Sequence, residues 1–194
     1  MKHDKTYGQH IKPIVVGPKD RPDVAAELAK MNARLQALGV DTSRHDAYEL
    51  SRMSKAKKDA SGNAYAAVPI VEFQDNLGRL FAQVVQPIEA ILGGRVVVRG
   101  AYRPPDYNAA VGGVATSDHI RGQSADLDYQ DVAALKLAAA KFYVSHPAMP
   151  LEFGFYVGNI HTGLGGDHET YSGDAAPGED DKWLAKARAE LGVT

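Results

Sequence analysis

Apolar residues recur at helical spacing over several stretches of this chain and alternate with polar ones over shorter stretches between them. From Pro22, a residue suited to a first helical position, Val24, Leu28, Met31, Leu35 and Leu38 follow at steps of four and three, and Gly39 stops the pattern. This spacing predicts an amphipathic helix. A second, more polar helix is predicted over residues 43–57, with Tyr48, Leu50 and Met53 as its few apolar positions and Lys55, Lys57 and Lys58 as a solvated end. The strongest stripe is Leu77, Leu80, Phe81, Val84, Val85, Ile88, Ile91 and Leu92, closed by Gly93-Gly94, and Pro87 inside it predicts a kink or local loosening. Two more helices are expected at 131–144 and 180–191, the second with Trp183, Leu184 and Leu191 turned inward.

Strands are predicted at Ile14-Val15-Val16, over 66–73, at Arg95-Val-Val-Val-Arg99, over 124–129, and near 153–156 leading into Ile160-His161. The segment Gly100-Ala-Tyr-Arg103-Pro-Pro105 reads as a turn, and 163–178 as a glycine-rich loop. Separated helices and short strands without a βαβ rhythm predict an α+β fold, a small mixed or antiparallel sheet with packed helices. Asp59-Ala-Ser-Gly-Asn63 has linker composition. It divides an N-terminal arm and helical extension, residues 1–60, from a main domain, residues 61–194.

Composition narrows the function classes. A formal net charge of −2 gives no electrostatic footprint for nucleic acid or an anionic membrane, so neither is expected as a partner. Cysteine is absent, which excludes thiolate metal sites, disulfides and a Cys nucleophile, and leaves any metal to His, Asp or Glu. The N-terminal residues lack an apolar run of signal-peptide length, so the expectation is a protein made in the cytoplasm and not exported by that route.

Candidate chemistry concentrates in Ser117-Asp-His119-Ile-Arg-Gly122-Gln-Ser-Ala-Asp126. Alternation along the strand puts Ser124, Asp126 and Asp128 on one side, with Ala125 and Leu127 on the other. A glycine-containing loop from His119 can then fold back so that its imidazole meets Asp126. A neutral nitrogen and an anionic oxygen suit Zn²⁺, and a third protein ligand would leave one position for water or substrate. The competing reading is a surface turn in which the two never converge.

The flanks change the balance between these. Gly100-Ala-Tyr-Arg103-Pro-Pro, then Asn108-Ala-Ala-Val-Gly112-Gly113, then the His119 to Asp126 segment occur in order, and over residues 68–163 the chain resembles the zinc D-Ala-D-Ala peptidase family, the M15 group, in its small phage and bacterial subgroup. That resemblance implies a fold like that of the D,D-peptidases and the related Hedgehog signalling domain. It implies His119 and Asp126 as zinc ligands, with His161, after Phe153-Gly-Phe-Tyr156, as the third and His168 as its rival. It also implies that Arg103 grips a substrate carboxylate or carbonyl, against the plainer reading of an ion pair with Asp106 or Asp128. Ser117 is a further candidate to touch substrate or orient the loop. The implied substrate is a peptidoglycan peptide and the implied setting bacterial or bacteriophage, on the virion or released at lysis, with residues 1–60 free to meet other virion proteins.

One departure stands out. Family members keep an acidic residue three positions before the third histidine or two after it, and here those positions are Gly158 and Gly163. Glu152, Asp167, His168 and Glu169 are the candidates to supply the missing base. If none does, the alternative is a zinc-stabilised binding or structural module without catalysis, such as a virion component. Loss of the metal altogether, leaving only a scaffold, is the third reading.

Overall fold

A computed structural model describes residues 13–55, 58–165 and 167–193. Within them the chain forms two compact units, one from residues up to 79 together with 100–124, the other from 80–99 together with 125 onward. Helices and small sheets are mixed in an α+β arrangement, as the pattern predicts.

In the first unit, strand β1 (Val15–Gly17) pairs antiparallel with β2 (Ala66–Val68), and helix α1 (Pro22–Ala37) buries Val24, Leu28, Met31 and Leu35. Among the described residues the expected helix over 43–57 is reduced to α2 (Ala47–Ser51), and positions 56 and 57 lie outside them. Asp41 explains the late start, because its carboxylate accepts from the Ser43 N–H and hydroxyl and holds a turn. Asp46 then caps α2 by accepting the Glu49 N–H at 2.7 Å. Past Ser51 the chain turns extended, with bridges from Arg52 to Ala66 and from Lys58 to Ala64, so helix gives way to strand pairing.

The expected strand over 66–73 is also shorter, since Val71 already opens α3 (Val71–Leu80). Pro69 has no N–H for the ladder, and the strand stops before it. Arg34 of α1 holds α3 through a two-pronged bond to Asp75, at 2.5 and 2.7 Å, and Gly78 makes room for Leu38. Helix α5 (Pro105–Ala110) continues what was predicted only as a turn, with Pro105 at a first-turn position where its missing N–H costs nothing.

In the second unit a π-turn (Phe81–Val85) leads into α4 (Gln86–Leu92). This is the loosening expected at Pro87. The Gln86 N–H reaches back five residues to the Phe81 carbonyl, and the proline takes an early position in α4. The wider turn also shifts the buried phase, so that Ile88 and Glu89 are buried while Ile91, expected in the stripe, is exposed. Glu89 is satisfied by the Val96 N–H at 2.7 Å.

The second unit's sheet has the order β3-β4-β6-β5-β7: β3 (Val97–Gly100), β4 (Ser124–Asp128), β5 (Leu151–Phe155), β6 (Ile160–Leu164) and β7 (Glu169–Ser172). Strand β5 runs antiparallel to β6 and parallel to β7. β7 corrects the expectation of a glycine-rich loop over 163–178. The four residues Glu169-Thr-Tyr-Ser172 have strand-compatible chemistry that the glycines on either side obscured. Helix α6 (Val132–Ser145), capped by Asp131, packs against α7 (Glu179–Leu191). Trp183, Leu184 and Ala187 of α7 are buried, whereas Leu191, expected inward, lies 41% exposed at the last turn.

Candidate metal centre

His119 sits on a 3₁₀ turn (Asp118–Arg121) and is buried. Its Nδ1 lies 2.7 Å from the Ala101 carbonyl oxygen. A carbonyl can only accept, so Nδ1 carries the proton and Nε2 of the neutral ring keeps a lone pair. The turn's own carbonyls are held from both sides, once by backbone and once by a side-chain amide. The Arg103 N–H donates to the His119 carbonyl at 3.0 Å, and Asn76 of α3 donates to the Arg121 carbonyl at 2.9 Å. Arg121 pairs with Asp118 and with Gln123. Gly122 closes the turn at φ 67°, and a Cβ there would come within 2.7 Å of the Phe73 carbonyl oxygen, so only glycine fits.

On β4, Ala125 and Leu127 are fully buried while Asp126 and Asp128 are half-buried, the alternation expected. Asp128 accepts from the Arg99 guanidinium at 2.5 and 3.0 Å. Asp126 instead meets His161 of β6, with Oδ1 3.0 Å from Nδ1. His119, Asp126 and His161 each offer one ligand atom, and these atoms all lie within 4.8 Å of one another.

The donor set fits zinc. Two ligands each about 2.0–2.1 Å from one ion lie about 3.3 Å apart at tetrahedral angles, so the 3.0 Å Asp126–His161 separation suits a shared ion. Two imidazole nitrogens and a carboxylate oxygen are borderline ligands of the kind zinc prefers, and His119 has its other nitrogen fixed by a backbone carbonyl as metal-binding histidines do.

The rest of the second unit's sheet face follows from register. Gly154 pairs with His161 on one side and Tyr171 on the other, and Glu152 pairs with Gly163 and Glu169. Period-two alternation puts Glu152, His161 and Tyr171 on one face. A Cβ on Gly154 would lie 2.6 Å from the Tyr171 ring, so this glycine lets the ring lie across β5. Glu152 Oε1 is 3.8 Å from His161 Nε2, and both side chains are largely shielded. Burial pushes the Tyr171 phenol well above its usual pKa, and hydrogen bonding with Tyr156 and Glu152 adds to the shift.

The other candidates are placed as follows. His168, the rival ligand, is not in the three-residue group: its Nδ1 is 2.7 Å from the Met149 carbonyl oxygen and its ring stacks on Tyr143 at 4.0 Å. It also holds a positive φ of 56°, fixed by the Tyr143 hydroxyl donating to its carbonyl. Asp167 and Glu169 are exposed. Arg103 lies half-buried with its guanidinium over Gly100, where a Cβ would come 3.1 Å from Nη2, and Asp128 is taken by Arg99. Ser117 precedes the 3₁₀ turn and its side chain makes no capping bond.

Tyr156 and Tyr171 escaped sequence reasoning. Their signal is the period-two run Glu152, Gly154, Tyr156, which becomes meaningful only when β7 is known to lie beside it. No described helix is long and apolar enough to cross a membrane. The family model described as Peptidase M15 matches residues 65–164, 100 of the chain's 194 residues. Comparison with curated proteins returns no match.

Proposed function

From its membership of the peptidase M15 family, to which this chain belongs, we propose that the protein hydrolyses D-amino-acid-containing peptide bonds of bacterial peptidoglycan as a zinc-dependent metallopeptidase. The family match supports a zinc peptidase in general. The observation that carries the reading for this chain is the His119, Asp126 and His161 group, whose ligand atoms lie within 4.8 Å of one another.

His119 would hold the metal through Nε2, since Nδ1 is engaged by Ala101, and His161 would hold it through the nitrogen that faces Asp126. A bound zinc supplies a Lewis acid for the scissile carbonyl and makes water a better nucleophile at neutral pH. Arg103 orients the substrate, its planar guanidinium matching a peptide carboxylate or carbonyl with two parallel bonds. Ser117, its hydroxyl unengaged in capping, adds one further contact to the substrate. A bacteriophage or bacterial setting, and contacts of residues 1–60 with virion proteins, belong to the same proposal.

Incubation of the zinc-loaded protein with purified peptidoglycan, followed by mass spectrometry of the soluble fragments, tests it. New amine termini adjoining D-amino acids are expected. Full zinc occupancy with no new termini at any enzyme concentration would instead favour the zinc-stabilised binding module.

A further inference from the structure

The two histidines of the centre meet their surroundings through opposite nitrogens. His119 has Nδ1 against the Ala101 carbonyl, which leaves Nε2 for an ion, whereas His161 turns Nδ1 to Asp126 and Nε2 to the Glu152 carboxylate. A neutral ring ligated through Nδ1 carries its one hydrogen on Nε2, and a shielded N–H of this kind needs an acceptor. Strand β5, in the same unit, delivers one. Glu152 Oε1 lies 3.8 Å from His161 Nε2, and the two side chains are only 20% and 12% exposed. At that distance the contact is electrostatic and longer than a hydrogen bond. Ligation at Nδ1 makes Nε2–H a more positive, stronger donor, so the attraction grows in the loaded protein.

The placement follows from register. Glu152 pairs with Gly163 across β5–β6, so no side chain at that position of β6 stands between the carboxylate and the His161 ring. Gly154, which pairs with His161, lets the Tyr171 ring lie across β5, and the phenol donates to Glu152 and fixes the direction of the carboxylate. A carboxylate at Nε2 lies across the ring from an ion at Nδ1. Its action is on His161 and not on water held by the ion.

We propose that Glu152 is the positioning residue of His161: its carboxylate accepts the Nε2–H and so fixes the ring with Nδ1 turned to the metal. It is the side-chain counterpart of the Ala101 carbonyl at His119. Such an acceptor holds the ligand in one orientation and makes the ligating nitrogen a better electron donor. This inference rests on the zinc reading of the site.

The test uses the full chain as wild type, Glu152→Ala and Glu152→Gln. Zinc affinity is measured by competition with a chelating dye. The ligating nitrogens are read by NMR in protein with nitrogen-labelled histidine and NMR-active cadmium, through direct metal–nitrogen coupling. Wild type is expected to couple through His119 Nε2 and His161 Nδ1, with the His161 Nε2–H proton shifted downfield by its acceptor. Glu152→Ala should keep the circular dichroism of the fold, lower zinc affinity about 10–100-fold and lose the downfield shift. Glu152→Gln keeps a neutral acceptor oxygen at the same reach and should recover part of both. A side chain that only filled space would be replaced by Gln with no change in the Nε2–H shift.

Coupling of the metal to His161 Nε2 overturns the proposal, as does a zinc affinity in Glu152→Ala within about threefold of wild type. If Glu152→Ala does not fold, Glu152→Gln decides alone: an Nε2–H shift identical to wild type overturns the proposal, and an upfield move supports it. Wild type that binds neither zinc nor cadmium brings down the zinc reading and this inference together. Metal held through His161 Nδ1 with no dependence on Glu152 removes this inference alone.

Discussion

The turn that carries His119 and the sheet face that carries His161 present the same ring by different means. At the turn, nearly every constraint is local or backbone-made: Gly122 at positive φ, the Asp118–Arg121 pair, and an Nδ1 fixed by the Ala101 carbonyl. At the sheet face the constraints are side chains delivered from strands far apart in sequence. Asp126 comes from β4, Glu152 from β5 and Tyr171 from β7, and the glycine at 154 leaves the Tyr171 ring room. A backbone-made environment tolerates side-chain change around it and fails when its glycine is replaced. A side-chain-made environment keeps its backbone and loses function one group at a time.

The largest expected effect is common to both regions. His119→Ala or His161→Ala should lower zinc affinity at least about 100-fold, more than loss of an outer partner costs, while the circular dichroism of the fold is retained. Competitive titration with a chelating dye measures it, and an unchanged affinity in both variants would break the assignment.

Gly122→Ala comes next and separates the regions. It forces a side chain into a left-handed conformation against the Phe73 carbonyl, and should destabilise the protein by about 2–3 kcal/mol in denaturant unfolding. Gly154→Ala should cost less, about 1–2 kcal/mol, because the Tyr171 ring can move where a carbonyl cannot. Equal costs at the two glycines would contradict the distinction. In Gly154→Ala, displacement of Tyr171 should also expose the phenol, whose pKa burial chiefly raises, and so lower that pKa in ultraviolet titration.

How far each region was legible in the sequence follows from the same difference. Ser117 to Asp126 is a contiguous string, so its turn chemistry and its His-to-Asp spacing could be read directly, and the strand alternation that sets Asp126 apart from Ala125 and Leu127 appeared as expected. The face around His161 depends on pairing between β5, β6 and β7, and nothing local specifies that Glu152 stands opposite Gly163. The strand β7 itself was hidden among glycines. For the helices, periodicity located α1 and α6 well. It overextended α2 because Asp41 and Asp46 divert the backbone before helix can begin, and it misjudged Ile91 because a π-turn shifts the phase.

The smallest expected effect concerns the helix that supports the turn. Asp75 is held below the usual carboxylate range, chiefly by hydrogen bonds from Arg34. A lowered folded-state value means the pair stabilises the protein above the ordinary carboxylate pKa of about 3.9 and ceases to as pH falls through the folded value. The pair is partly exposed, so Asp75→Asn should cost less than about 1 kcal/mol at pH 7. The difference from wild type should shrink as the pH falls from 7 toward the folded value, as unfolding curves at pH 7 and pH 3 would register.

The central claim is that His119, Asp126 and His161 hold one zinc ion. Elemental analysis and zinc-edge X-ray absorption of the protein, purified without added chelator, test it most directly. The account predicts about one zinc per chain, bound by nitrogen and oxygen at about 2.0–2.1 Å with the scattering of two imidazoles, and lost in the His119→Ala, His161→Ala double variant. No zinc above background, or a full complement surviving in the double variant, would contradict it.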